Sequence, residues 1–501
     1  MRNLLNSYFL STFACGSTNR AMMGNWDLLI QQIATMAFDI VLWAIILGTI
    51  VVIVLDNRNP VKTMAWILVL IFLPIVGLVL YIFFGRSQRH ERIIGKKVYG
   101  HLLRKPMAEY LAQPAASLPA SYASLISFFR NVNQSLPFEG NSVEAYTSGA
   151  SLLQSLLREL QQAKRHIHVE SYIFEDDAIG RMVRDVLMEK SRAGVEVRVI
   201  YDDVGCWHVP NRFFEEMREA GIDVRSFLKV RFPHFTNKVN YRNHRKIIVI
   251  DGSIGFVGGM NIAERYMRGF SWGIWRDTHL MLKGKAVHGL QTAFLLDWYF
   301  VDRTLMTSVK YFPRLDNQGA SLVQIVTSEP VGPWREIMQG LVKAISNAKK
   351  YFYMQTPYFL PTEPMLIALQ TAALSGVDVR LMLPQRADNR LTHFGSCSYL
   401  EDVLQAGVKV YFYQKGFLHS KLMVSDDLLA TVGSTNLDFR SFEHNFEINA
   451  FIYDSDTALE MREIFLQDQR DCQQVFLKNW KKRPWRRKAA ESIVRLLAPL
   501  L

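Results

Sequence analysis

One stretch of this sequence occurs twice, and nothing else in the chain restricts its fold as much. AKRHIHVESYIF (163–174) matches AKKYFYMQTPYF (348–359), and AGVEVRVIY (193–201) matches SGVDVRLML (375–383). NHRKIIVIDGSIGFVGGMN (243–261) then matches LHSKLMVSDDLLATVGSTN (418–436). The offsets are 185, 182 and 175 residues, so the pieces keep their order with small insertions between them. Each piece reads as a helix end running into a strand, or as a Gly-led turn into a β-branched strand. That alternation predicts an α/β unit with a largely parallel or mixed sheet. Two units in tandem, over 135–315 and 316–477, are expected to face each other across a pseudo-two-fold axis. A half-site present in each copy is then completed by the other.

The third piece carries the polar residues. His244-x-Lys246 is followed by Asp251 and by Gly258-Gly259-x-Asn261, and His419-x-Lys421 by Asp426 and by Gly433-Ser434-x-Asn436. The apolar runs between them, IIVI and LMVS, predict strands, and residues i and i+2 of a strand share a face. His and Lys therefore sit together in each copy, beside the turn that carries Gly and Asn. A single HxK on a strand is ordinarily a packed histidine. The same pair recurring with an identically spaced G-[GS]-x-N is a site. Asp251 and Asp426 complete the repeated set, but at the ends of their strands they are better placed to brace the turn than to touch a substrate.

Upstream of the repeat the chain is of another kind. Residues 40–55 (IVLWAIILGTIVVIVL) and 64–84 (MAWILVLIFLPIVGLVLYIFF) carry no charge. A helix of that second length, at about 1.5 Å per residue, covers the roughly 30 Å hydrocarbon core of a bilayer. A two-helix transmembrane anchor over 33–85 is expected, with Pro74 tolerated inside it. The leader, 1–32, has an apolar patch at 4–15 that makes only a weak pattern for a cleaved signal.

The net charge of +12, from 58 Lys and Arg against 46 Asp and Glu, is concentrated in two places. A juxtamembrane linker, 86–134, has seven Lys/Arg and one Glu within 86–105; a tail, 478–501, has seven Lys/Arg and no acid within 478–488. The excess behind the second span puts the bulk of the chain, and its N-terminus, on the cytoplasmic side. Trp480 and Trp485 interleave with the basic tail, as in segments that meet anionic lipid headgroups. Charge alone leaves a solvated run or nucleic acid as the other readings. The four cysteines, at 15, 206, 397 and 472, lie far apart with no zinc-ligand spacing. That argues against a disulfide framework or a structural metal and fits a reducing compartment.

The doubled HxKx4Dx6G[GS]xN pattern resembles that of the phospholipase D superfamily. With the anchor run KTMAW…LP…G…LY…FG (62–85) and the ending RLLAPLL (495–501), the chain resembles bacterial cardiolipin synthases over essentially its whole length. One departure is Gly259 where the second copy has Ser434, a lost hydroxyl expected to be minor. The resemblance implies two tandem phospholipase-D-like α/β halves on a bacterial inner-membrane anchor. It implies phosphatidyl transfer between two phosphatidylglycerol molecules, among anionic membrane lipids, with no cofactor, metal or nucleic acid. His244, Lys246 and Asp251, with His419, Lys421 and Asp426, are the catalytic set so implied. His244 is the nucleophile that forms a phosphatidyl-histidine, and His419 the acid and then the base; the near-symmetry admits the reverse.

The residue types suit that chemistry. A neutral imidazole can attack phosphorus, and an imidazolium can protonate the leaving alkoxide near neutral pH. Lys246 and Lys421, with the amides of Asn261 and Asn436, would cradle the phosphoryl oxygens. A nucleophilic histidine needs an acceptor on its other nitrogen. The superfamily places an acid downstream, which gives Asp277 to His244 and Glu447 to His419, 33 and 28 residues on. Water in place of an alcohol as acceptor would make the same site a phospholipase D or a nuclease, and the sequence does not separate these. The acids at 175–177 and 202–203 read as solvated loop tops, and His90, His166 and His168 as surface or packed residues.

Overall fold

The computed structural model describes residues 20–55, 60–85, 119–229 and 240–498. They belong to two compact units that divide after Ser87.

In the N-terminal unit one helix spans Arg20–Leu55, and its part Leu29–Leu55 is long and apolar enough to cross a bilayer. The helix starts inside the segment read as a leader; the apolar patch at 4–15 lies outside the described residues. The second apolar segment is not the single helix expected. It runs Pro60–Phe72, bends at Leu73, resumes as Pro74–Leu80 and ends in a π-helical turn, Tyr81–Gly85. Pro74 has no N–H to give, and its ring crowds the carbonyl four residues back, which breaks the ladder there. Ile46 and Ile53 of the first helix pack with Leu70 and Tyr81. Leu47, Leu55 and Phe72 are among the many apolar side chains left exposed, as on a helix whose solvent is lipid.

The second unit is built on one mixed sheet of 16 strands. In its first half, Pro137–Tyr146, His279–Lys283, Ile254–Gly258, Ile247–Ile250, His166–Ser171, Glu196–Asp202 and Asp223–Phe227 lie side by side in that order. In its second half the order is Ser321–Ser328, Asn445–Ile452, Leu429–Gly433, Leu422–Ser425, Tyr351–Gln355, Asp378–Pro384 and Lys409–Tyr413, with Cys472–Val475 added at the edge. The halves join where Pro137–Tyr146 pairs antiparallel with Ser321–Ser328, Phe138 opposite Val323. The two runs are therefore equivalent strand for strand on either side of that joint, the tandem α/β arrangement that the repeat predicts.

Local chemistry explains the elements. The runs 247–250 and 422–425 are buried throughout, as central strands covered by helices on both faces must be. Gly194 and Gly376, at φ +88° and +90°, follow the helices Ala178–Arg192 and Glu363–Leu374. Glycine takes that left-handed turn without strain, which accounts for the repeated AGV and SGV. Helices Val287–Asp302 and Ser455–Arg470 close one core with strands of both halves, around Phe294, Trp298, Ile448 and Phe465. Two further cores lie mainly within one half each.

Candidate active site

Two short parallel ladders carry side chains across the joint. Arg242–Asn243 pairs with the start of Asn445–Ile452, and Gly416–Leu418 pairs with Ile274–Arg276. A histidine follows each ladder: His244 N–H donates to Phe446 O at 3.0 Å, and His419 N–H to Arg276 O at 2.7 Å. The next residue on each partner segment is an acid. His244 Nδ1 lies 3.0 Å from both carboxylate oxygens of Glu447, and His419 Nδ1 lies 2.6 Å from Asp277 Oδ2. Each histidine is thus held by the carboxylate of the other half. This corrects the pairing of Asp277 with His244 and of Glu447 with His419. Distance along one half carries no information about a ladder formed between halves.

Each carboxylate is fastened within its own half. Ser434 Oγ donates to Glu447 and accepts Ile448 N–H at 3.0 Å. At the matching place a Cβ on Gly259 would stand 2.1 Å from Asp277 Oδ1, and that oxygen accepts Thr278 N–H at 2.7 Å instead. The Gly259–Ser434 difference is therefore more than a missing hydroxyl: the small residue accompanies the short acid, and the hydroxyl the long one.

The lysines sit two residues on. Lys246 Nζ donates to His244 O at 2.6 Å, and Lys421 Nζ to His419 O. Lys246 also lies over the Tyr172 ring at 5.4 Å, and that ring meets His244 edge-on at 5.1 Å. Trp275 and Phe417 flank His419. The charge of Lys246 is felt together with those of Lys421, Glu447 and Asp277. Lys246 and Lys421 each feel both site carboxylates, so the two half-sites adjoin.

Burial sets the electrostatics of the site. It pushes His244 down to about 4, with Glu447 opposing and Lys246 assisting. It pushes His419 down to about 3, helped by Lys421 and opposed by Asp277. Lys246 falls to about 7 and Lys421 to about 8, again chiefly through burial. Burial alone would raise the two acids, but Lys421 and His419 hold Asp277 below its ordinary value, and His244 and Lys246 do the same for Glu447. Near neutral pH the site therefore holds two carboxylates, two neutral imidazoles and two lysines close to their titration. Each imidazole gives its Nδ1–H to a carboxylate and keeps Nε2 for a reactant.

Two acids of the repeated set lie elsewhere. Asp251 and Asp426 stand at the far ends of their strands, about 16 Å beyond the lysines at 3.3 Å per residue. Asp251, at φ +53°, accepts the backbone N–H groups of Lys164, Arg165 and His166 at 2.9, 2.7 and 3.0 Å. Asp426, at φ +54°, does the same for Lys349, Lys350 and Tyr351 at 2.7, 2.8 and 2.9 Å. Their place in the catalytic set is corrected: they staple the repeated helix-to-strand turn. Asn261 Oδ1 accepts Ile173 N–H at 3.1 Å while its amide donates to Tyr266 Oη. Asn436 Oδ1 is buried without a hydrogen-bond partner among the described residues. Asp202 is not solvated; it is buried and accepts Val204, Gly205 and Asn243 N–H groups at 3.0, 2.8 and 2.9 Å. Asp177 caps the helix Ala178–Arg192. His166 and His168 are packed against Gln291 and Phe294, and His90 lies outside the described residues.

Two buried ion pairs beneath the site escaped the sequence reading. Arg245 bonds Asp297 and donates to Glu447 O at 3.1 Å; Arg276 lies 2.7 Å from Asp468 and donates to Asp277 O. Each guanidinium supports the backbone of one site carboxylate. A signal existed for the first: Asp297 is the lone carboxylate in the largely apolar VHGLQTAFLLDWYF, and such a charge is rarely buried unless paired.

Both halves match known proteins of this build. Residues 156–284 and 341–469 match the family described as cardiolipin synthase, PLD-like domain, and 40–86 match the phospholipase D-nuclease N-terminal family. The phosphatidylserine synthase of Haemophilus influenzae shares the fold with a TM-score of 0.57 at 14% identity, over 75% of this chain and 100% of that one. The doubled motif and the matched family define a phospholipase D superfamily phosphatidyltransferase, carried on a membrane anchor. The cardiolipin synthase of Geobacillus kaustophilus is 40% identical over 93% of this chain and 94% of its own. The major cardiolipin synthase of Bacillus subtilis is 40% identical over 91% and 97%. The chain belongs to the cardiolipin synthase family.

Proposed function

We propose that His244 and His419 exchange one phosphodiester for another between two phosphatidylglycerol molecules, giving cardiolipin and glycerol. His244 Nε2 attacks phosphorus, the bond to the headgroup glycerol oxygen breaks, and His419 Nε2–H protonates that oxygen as glycerol leaves. A hydroxyl of the second phosphatidylglycerol then gives its proton back to His419 and attacks the phosphatidyl-histidine. The P–N bond breaks and both histidines return to their starting state. Lys246 and Lys421 offset charge on the non-bridging oxygens. The anionic diester itself favours the protonated forms of His419 and both lysines, so the site gains its cations with the substrate.

The observation that carries this reading is the pair of histidines, each with Nδ1 held by a carboxylate, beside two lysines that feel both carboxylates. The proposal extends to organisation: a two-span anchor over 33–85, a linker to 134, catalytic halves over 135–315 and 316–477 facing the cytoplasm, and a tail from 478. The test uses the full chain in phosphatidylglycerol vesicles without added metal. Cardiolipin and glycerol in equal amounts, both absent with His244→Ala, are expected. Phosphatidic acid as the only lipid product would overturn transfer in favour of hydrolysis.

A further inference from the structure

The last described helix, Trp485–Leu496, leaves its largest apolar side chains uncovered. A surface helix ordinarily packs its apolar stripe on the core and shows its charges to water. Here the inward face is mixed, with Glu491 buried alongside Val494 and Ala498, and the larger apolar side chains face out. Glu491 is buried and receives Arg483 at 2.7 Å and Arg487 at 3.1 Å, while Arg495 reaches Asp402 at 2.9 Å. Arg495–Asp402, with Lys488 4.0 Å from Glu401, fixes the helix on its neighbour, Arg390–Gln405. The outward face carries Trp485, Ile493, Leu496 and Leu497, which are 72%, 64%, 80% and 41% exposed. Their spacing puts them on one stripe. Around the stripe's N-terminal end stand Lys478, Lys481, Lys482 and Arg486, all exposed and without a carboxylate partner among the described residues.

We infer that this helix is an interfacial device that lays its apolar stripe into an anionic lipid surface, as a second membrane contact of the catalytic unit. Rolling the stripe onto the protein would break Arg495–Asp402 and expose the buried Val494 and Ala498. An apolar stripe left in water needs a cover. The unpaired cations select an anionic one, and tryptophan at their margin suits the headgroup layer. The device needs no turnover, so it stands or falls apart from the chemistry at His244.

The test uses the full chain with Cys15→Ser and Cys472→Ser, leaving the buried Cys206 and Cys397. An environment-sensitive fluorophore is placed on Leu496→Cys or, for comparison, on Leu374→Cys, which is as exposed on another helix. Both proteins are reconstituted in vesicles of phosphatidylcholine with or without phosphatidylglycerol brominated in its acyl chains. A blue shift and bromine quenching at 496 but not at 374 is expected. Lys482→Gln and Arg486→Gln should each lower the docked fraction relative to the undocked about fivefold, the worth of one cation near an anionic surface. Quenching at 496 no greater than at 374 would overturn the proposal. So would a blue shift without bromine quenching but with self-quenching between labelled chains, which would make the cover a second copy. Indifference to both substitutions would overturn the anionic selection.

Discussion

The crossed carboxylates make a prediction that a same-half pairing cannot share. Glu447→Gln keeps the shape beside His244 but removes a charge whose nearest oxygens are 3.0 Å from Nδ1. Over about 4 Å between charge centres, at an effective dielectric of about 20, that charge is worth roughly 4 kcal/mol to an imidazolium-like transition state. The corresponding loss of rate is about 10³-fold. Natural turnover also needs the acid on His419, so both carboxylates affect it. A phosphatidyl p-nitrophenyl ester separates them, because its leaving group departs without a proton. The nitrophenolate burst then reports attack alone. Expected are a loss of about 10³-fold in burst rate with Glu447→Gln, no burst with His244→Ala, and less than about tenfold change with Asp277→Asn or His419→Ala. Should His419 be the nucleophile, the sensitive pair becomes His419 and Asp277. The reasoning is refuted if the burst depends on a histidine and an acid from the same half.

Three further outcomes are expected. Gly259→Ser drives a side chain into the space of Asp277 Oδ1 and should cut phosphatidylglycerol turnover by 10- to 100-fold, roughly the cost of a displaced supporting group, while sparing the nitrophenolate burst. Asp251→Ala or Asp426→Ala removes three charge-assisted bonds to backbone N–H groups and should cost about 2–4 kcal/mol of stability, read as a lower thermal midpoint. Asn at either position, which tolerates the positive φ, should lose less. Lys246 and Lys421, pushed to about 7 and about 8, are protonated below those values and neutral above them. Binding of an anionic diester should therefore take up protons between pH 7 and 8, and KM for phosphatidylglycerol should climb above pH 8; a flat KM to pH 9.5 would remove the lysines from substrate binding.

The repeat made the fold legible because strand-and-turn pieces of fixed order leave few topologies, and both halves keep that order in space. His244, Lys246, His419 and Lys421 were legible for the same reason: a doubled polar set at fixed spacing survives any choice of register. What the sequence hid were relations between the copies. The exchange of Asp277 and Glu447 depends on the two-residue pairing of Arg242–Asn243 and the three-residue pairing of Gly416–Leu418, segments too short to leave a hydropathy signal. Asp251 and Asp426 share the motif but serve the backbone, and spacing alone does not tell a brace from a reactant. The break at Leu73 was masked by uniform apolarity, although Pro74 marked it.

The joint between Pro137–Tyr146 and Ser321–Ser328 has a meaning beyond architecture. Since neither histidine finds its acceptor at home, a slip of one half past the other by an ångström lengthens both Nδ1 contacts at once while leaving each core intact. Catalysis then works as a gauge of alignment. Heating, detergent or strain should extinguish activity before any spectroscopic sign of unfolding, and cross-linking the two strands should postpone that loss without touching the site.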